Sequence, residues 1–260
     1  MAWNLLEAKT APSMRPLDTA LEYIRGKWYE TLPLYIVGAA PMSAAVYLLL
    51  DILSVQRFSA LGEVCFFLAL ATLWKWVFAC FVQRRVHEDI TGKPGPGLSK
   101  RISGMLYIKL AASMAMMWGG LLVLPGLYGL IATGLAAPAL LDRKDSPLEV
   151  LEWVIDWVGK SMWQAAKIAS ALSVGYLMTY FSLLVLQGFF GQMVLPSFFG
   201  FDPAESWLTF TSFTWQMTMA YVVFLVMDYF WLVASVMLHF DIQSKKTGAD
   251  LWHRLRELER

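Results

Sequence analysis

Of the 260 residues, 58 % are hydrophobic and 16 % charged, whereas soluble domains carry roughly 25 % charged residues. The net charge of +1 excludes the broad basic field on which nucleic-acid binding depends. The charges gather in a few stretches and are nearly absent between them, which excludes a soluble globule and points to an all-α polytopic membrane protein.

Residues 1–30 are polar and amphipathic, with no early apolar core and no small-residue cleavage site, so they are not expected to be a secretory signal. They read as a cytoplasmic N-terminal segment in which "RPLDTALEYIRGKWYE" (15–30) forms an amphipathic helix. A spanning helix needs about 20 mainly apolar residues. Stretches of that kind predict six transmembrane helices over 31–53, 60–82, 104–124, 126–141, 165–189 and 209–240. Residues 31–240 are thus one six-span membrane domain, and 241–260 a cytoplasmic tail. Continuous apolar runs such as "FFLALATLWKWVFACFV" are not the alternating segments of a transmembrane β-barrel.

Cys65 and Cys80 lie on one predicted helix, about 22 Å apart, too far for a disulfide, and read as packing residues. In "LPGLYG" (124–129), Pro125 and Gly126 form a tight turn between the third and fourth spans. Next comes "SPLEVLEWVIDWVGKSMW" (146–163), where Ser146 is the N-cap, Pro147 the first helical residue and Glu149 the partner in a capping box. Leu148, Leu151, Val154, Ile155, Val158 and Met162 form its apolar face, opposite Glu149, Glu152, Asp156 and Lys160. That pattern predicts an interfacial amphipathic helix, lying on the bilayer or against the bundle.

Six spans place both termini and the loops 83–103 and 142–164 on one side. Of the 21 Lys and Arg, all but Arg57 and Lys75 fall on or beside that side, so it is the cytoplasmic one. Cations on this rim, Arg84 and Arg85 with Lys100, Arg101, Lys245 and Lys246, are candidates for holding anionic lipid headgroups. Topology alone would also place them there. The outer loop 190–208, with the residues flanking it, carries Phe189, Phe190, Phe198, Phe199 and Phe201 and no cation. It is expected to fold onto the membrane or to contact another integral membrane protein. Small residues in "KLAASMAMMWGG" (109–120) and "GLIATGLAAPA" (129–139) allow close helix packing.

The leading segments 15–30 and 146–163 share a design, and "VQRRVHEDITGK" (82–93) rhymes with "IQSKKTGAD" (242–250), which suggests a parallel repeat. Taken in order, the "RPL" amphipathic helix, the "LPGLYG" turn, "LIATGLAAPALLD" (130–142), "SPLEVLEWVIDWVGKSMW" and "HFDIQSKKTGADL" (239–251) carry a resemblance. The chain resembles the six-helix membrane domain associated with bacterial glycerophosphodiester phosphodiesterases and its free-standing relatives, over about residues 15–251. The phosphodiesterase catalytic domain is absent, so the resemblance implies the fold and a bacterial inner-membrane location but no catalytic residue.

Lys75 lies inside span 2, about 13 Å along the helix from Arg84, and Asp228 lies about 18 Å before Phe240 in span 6. Their depths overlap, and an ionisable group inside a membrane costs several kcal/mol unless it is paired. The two are expected to form an intramembrane ion pair. The competing readings are a snorkelling Lys75 beside a protonated or otherwise engaged Asp228, and a transport or proton-relay site. Gln216, Thr214 and Thr218 are the few other polar residues near Asp228, and Glu63 sits at the outer end of span 2.

His87, His239 and His253 form no metal-ligand pattern, and "VHED" (86–89) reads as a solvated loop. "GKPGPG" (92–97) reads as a stiff turn, and neither nucleophile elbow nor nucleotide fingerprint occurs. The expected function is a non-catalytic scaffold or accessory subunit that needs no cofactor or metal and binds other integral membrane proteins and anionic lipids, as an oligomer or within a larger complex. The alternative is a small-solute or lipid transporter using Lys75 and Asp228.

Overall fold

The computed structural model describes residues 15–55, 58–92, 103–110, 131, 134–135, 138–141, 146–189, 197 and 213–247. Among them all regular structure is helical. The longer helices are α1 (Arg15–Val55), α2 (Leu61–Thr91), α3 (Pro147–Lys160), α4 (Met162–Phe189) and α5 (Phe213–Thr247). Four of these, all but α3, are long and apolar enough to cross a membrane, so the chain is a membrane protein. They correspond to the first, second, fifth and sixth predicted spans. The third and fourth, 104–124 and 126–141, lie mostly outside the described residues; 103–110 and 138–141 are helical.

Helix α1 fuses the predicted amphipathic segment with the first span. It has 41 residues and leaves helical geometry once, at Lys27 (φ −135°, ψ 19°). At 1.5 Å per residue such a helix is about 60 Å long, twice the hydrocarbon thickness. The break at Lys27 thus separates an approach segment from the span. Pro16 lies in the first turn, where its missing N–H costs nothing.

A 3₁₀ turn, Phe58–Ala60, leads into α2, and Glu63 in the first turn complements the helix dipole. The helix continues past the predicted end of its span to Thr91. It stops where Gly92, at φ +66°, donates its N–H to the Glu88 carbonyl. "VHED" is therefore helix rather than loop, and His87 is buried. The local sequence reads as solvated because its acidic and basic residues mask the inward-facing Val86 and His87.

The chain divides into two units, one comprising residues 1–35, 76–169 and 230–260, the other 36–75 and 170–229. The first has a core of Tyr23, Val82, Val86, Ile108, Val150, Val154, Ile168, Val233 and Leu238. Within it α2 and α5 run in the same direction: Gln83 meets Ser235, and His87 meets Phe240 further along both helices. The second unit buries Ala45, Ala71, Leu172 and Val223 but exposes Tyr47, Phe66, Leu70, Met178, Phe181 and Val185. Such a surface suits lipid rather than water.

Candidate functional site

The Lys75–Asp228 site belongs to the second unit and is built on α1, α2 and α5. Lys75 Nζ lies 2.9 Å from Asp228 Oδ2, so the structure brings together the two charges that the sequence places at one depth. The Lys75 side chain is 7 % exposed and that of Asp228 24 %. The ammonium also stands 4.7 Å from the centre of the Phe224 ring, one turn before Asp228 on the same helix. An aromatic face and a carboxylate thus share one cation, a combination that gains strength where water is scarce.

Trp74, the preceding residue, reaches α1. Its indole N–H donates to the Val37 carbonyl at 3.2 Å. In an α-helix that carbonyl accepts from the amide four residues on, which here is Pro41 and has no N–H. Trp74 therefore supplies the bond that Pro41 withholds. Consecutive residues of α2 tie it to two other helices.

Further along α1, Ser43 and Tyr221 share a hydrogen bond of 3.3 Å, and Tyr176 on α4 donates to the Ala220 carbonyl at 3.1 Å. The sequence reading missed how α5 organises these groups. Thr214, Tyr221, Asp228 and Ser235 recur every seven residues and share one face, with Thr218 and His239 beside it. The heptad spacing was available in the sequence as the signal.

The first unit holds a second polar layer. Gln83 is fully buried; its side-chain NH₂ donates to Ser235 Oγ at 2.9 Å and to the Gly134 carbonyl at 3.4 Å. Gly134 lies under the Trp231 indole so closely that a Cβ there would come within 2.5 Å of the ring. His87 and His239, both buried, each pack against the Phe240 ring, and Trp153 of α3 meets His239 edge-on. Among the described residues no group of three or more His, Cys, Asp or Glu side chains could hold a metal ion. Cys65 is exposed and Cys80 buried, both as free thiols.

Of the cations proposed for lipid headgroups, the three whose side chains are described are engaged with carboxylates. Arg84 pairs with Glu88 at 2.7 Å, Arg85 with Glu30 at 2.6 Å, and Lys245 with Asp241. Asp89 is a hub: it accepts from the Tyr23 hydroxyl at 2.8 Å and Lys27 at 3.1 Å, with Arg85 3.9 Å away. This network fastens the approach segment of α1 to the end of α2. Lys100, Arg101 and the Lys246 side chain lie outside the described residues. Of the phenylalanines proposed for partner contact, Phe189 is exposed at the end of α4; Phe190, Phe198, Phe199 and Phe201 lie outside the described residues.

Comparison of the chain with known protein families, with curated proteins and with solved structures gives no match.

Proposed function

We propose that the chain is a non-catalytic scaffold or accessory subunit of a bacterial inner membrane, crossing it six times with both termini in the cytoplasm. The resemblance to the phosphodiesterase-associated six-helix domain is part of this proposal. The observation that carries it is the contrast between α4 and α5. Of its apolar window α4 buries 17 % and α5 56 %, leaving Val174, Met178, Phe181 and Val185 of α4 as a free apolar flank. Lys75, Asp228 and Trp74 then act as structural ties that hold the second unit rigid while the flank of α4 is offered to other membrane proteins and lipids. A photoreactive residue at Met178 or Val185, activated in native membranes, tests this. Discrete protein adducts are expected, and adducts with lipid alone overturn it.

A second reading, a transporter of small solutes or lipids, is favoured by the partial exposure of Asp228 and by the polar face of α5. It requires water to reach residue 228. In a Cys65→Ser, Lys75→Met, Asp228→Cys chain, labelling by a membrane-impermeant thiol reagent supports transport, and protection from it supports the scaffold.

A further inference from the structure

The predicted helix over 146–163 exists as α3, Pro147–Lys160, with its capping box in place: the Ser146 N–H donates to Glu149 at 3.1 Å, and the Glu149 N–H donates to Ser146 Oγ. Its packing differs from the expectation of a single apolar face. The buried stripe is Val150, Val154 and Val158, whereas Leu148 is 62 % exposed and Ile155 58 %.

At about 100° per residue, Val150, Val154 and Val158 occupy one sector of α3, and Leu151, Ile155 and Leu148 the sector immediately beside it. Glu152, Asp156, Glu149 and Lys160 follow on the remaining side. A helix with protein on one side and water on every other would end its apolar arc where burial ends. Here the arc runs on through large aliphatic side chains before the charges begin. The circumference therefore has three sectors, for protein, for an apolar medium and for water.

We propose that the Leu148–Leu151–Ile155 stripe is immersed in lipid at the membrane–water boundary, with α3 lying along the foot of its own bundle. The depth follows from continuity with α4. A break at Ser161 is all that separates α3 from that crossing helix, and Ser161 donates its N–H to the Trp157 carbonyl at 2.8 Å. In the first turns of α4, Trp163 is 75 % exposed, and Lys167 Nζ stands 5.6 Å from its ring centre. An exposed Trp beside a Lys marks the headgroup level. The charge on α3 settles what drives insertion. Three carboxylates against Lys160, which is itself paired with Asp156 at 2.7 Å, do not attract anionic lipid, so the stripe inserts by apolar burial. This inference stands apart from whether any protein binds α4.

The test uses the full chain with Cys65→Ser and Ile155→Cys, and a companion with Cys65→Ser and Glu152→Cys, each labelled with an environment-sensitive fluorophore. Cys80, fully buried, remains unlabelled. Both are reconstituted into phosphatidylcholine vesicles, with and without phosphatidylglycerol. Brominated acyl chains are expected to quench position 155 several-fold more than 152, iodide to do the reverse, and the anionic lipid to change neither. Quenching of 155 by iodide as strongly as 152 places the stripe in water and overturns the proposal. Shielding of 155 from both quenchers overturns it in favour of a covering protein. Leu148→Cys repeats the measurement from the other end of the stripe.

Discussion

The indole of Trp74 on α2 donates its N–H to the carbonyl of Val37 on α1, the one that Pro41 leaves without its helical donor. Within a bilayer no water is available to take that place, so the tryptophan completes the hydrogen bonding of a helix to which it does not belong. Replacing Trp74 by Phe retains most of the ring and removes the donor. A loss of about 1 kcal/mol in detergent-solubilised stability is expected. Restoring the backbone donor with Pro41→Ala makes Trp74→Phe nearly silent. A double-mutant cycle with no coupling between the two positions contradicts this account.

The Lys75–Asp228 pair makes a sharper demand. Changing either residue alone to Ala strands the other charge and costs roughly 3–5 kcal/mol. Lys75→Met together with Asp228→Leu removes both charges and recovers most of that loss. The exchange Lys75→Asp with Asp228→Lys also exceeds either single change in thermal stability. If the exchanged chain melts no higher than the singles, the pair is not a structural tie.

Tyr23 and Lys27 of α1 both bond to Asp89, so Asp89→Asn weakens the hold on the approach segment of α1 without disturbing the rest of α2. Faster amide hydrogen exchange is expected over residues 15–26, with little change in 61–80. The global cost is about 1–2 kcal/mol, since the groups are partly exposed. Uniform acceleration over both stretches speaks against a local latch.

Two glycines separate tight packing from slack. Gly134→Ala drives a methyl into the rigid Trp231 ring and is expected to cost about 1–3 kcal/mol. Gly175→Ala meets only the flexible Met227 methyl at 3.1 Å, and that side chain swings aside. Melting temperatures of the two variants should therefore differ clearly, with Gly134→Ala the lower.

What the sequence disclosed follows from how local each feature is. The four helices long and apolar enough to cross a membrane, and the capping box at Ser146, are written in runs of neighbouring residues. The coincidence of Lys75 and Asp228 in depth required only counting along helices. The link from Trp74 to Val37 depends on where α1 meets α2, which no pattern in either helix records. The sequence reading of the apolar face of α3 left out Val150, which opens the buried stripe, and did not divide that face into a buried and an open half: Val150 and Leu151 are equally apolar, and only packing distinguishes them. The run from Arg84 to Asp89 read as loop because its charges conceal that Glu30 and Lys27 lie across from it.

The distance in sequence between Lys75 and Asp228 also bears on how the molecule is made. Ribosomes add about 5–20 residues per second. The ammonium in α2 thus enters the membrane on the order of ten seconds before its carboxylate has been synthesised. Until α5 arrives, the nascent chain holds the Lys75 ammonium without the Asp228 carboxylate that pairs with it in the folded protein. The Lys75–Asp228 pair can therefore close only after α5 has been made, which places this tie late in the assembly of the second unit.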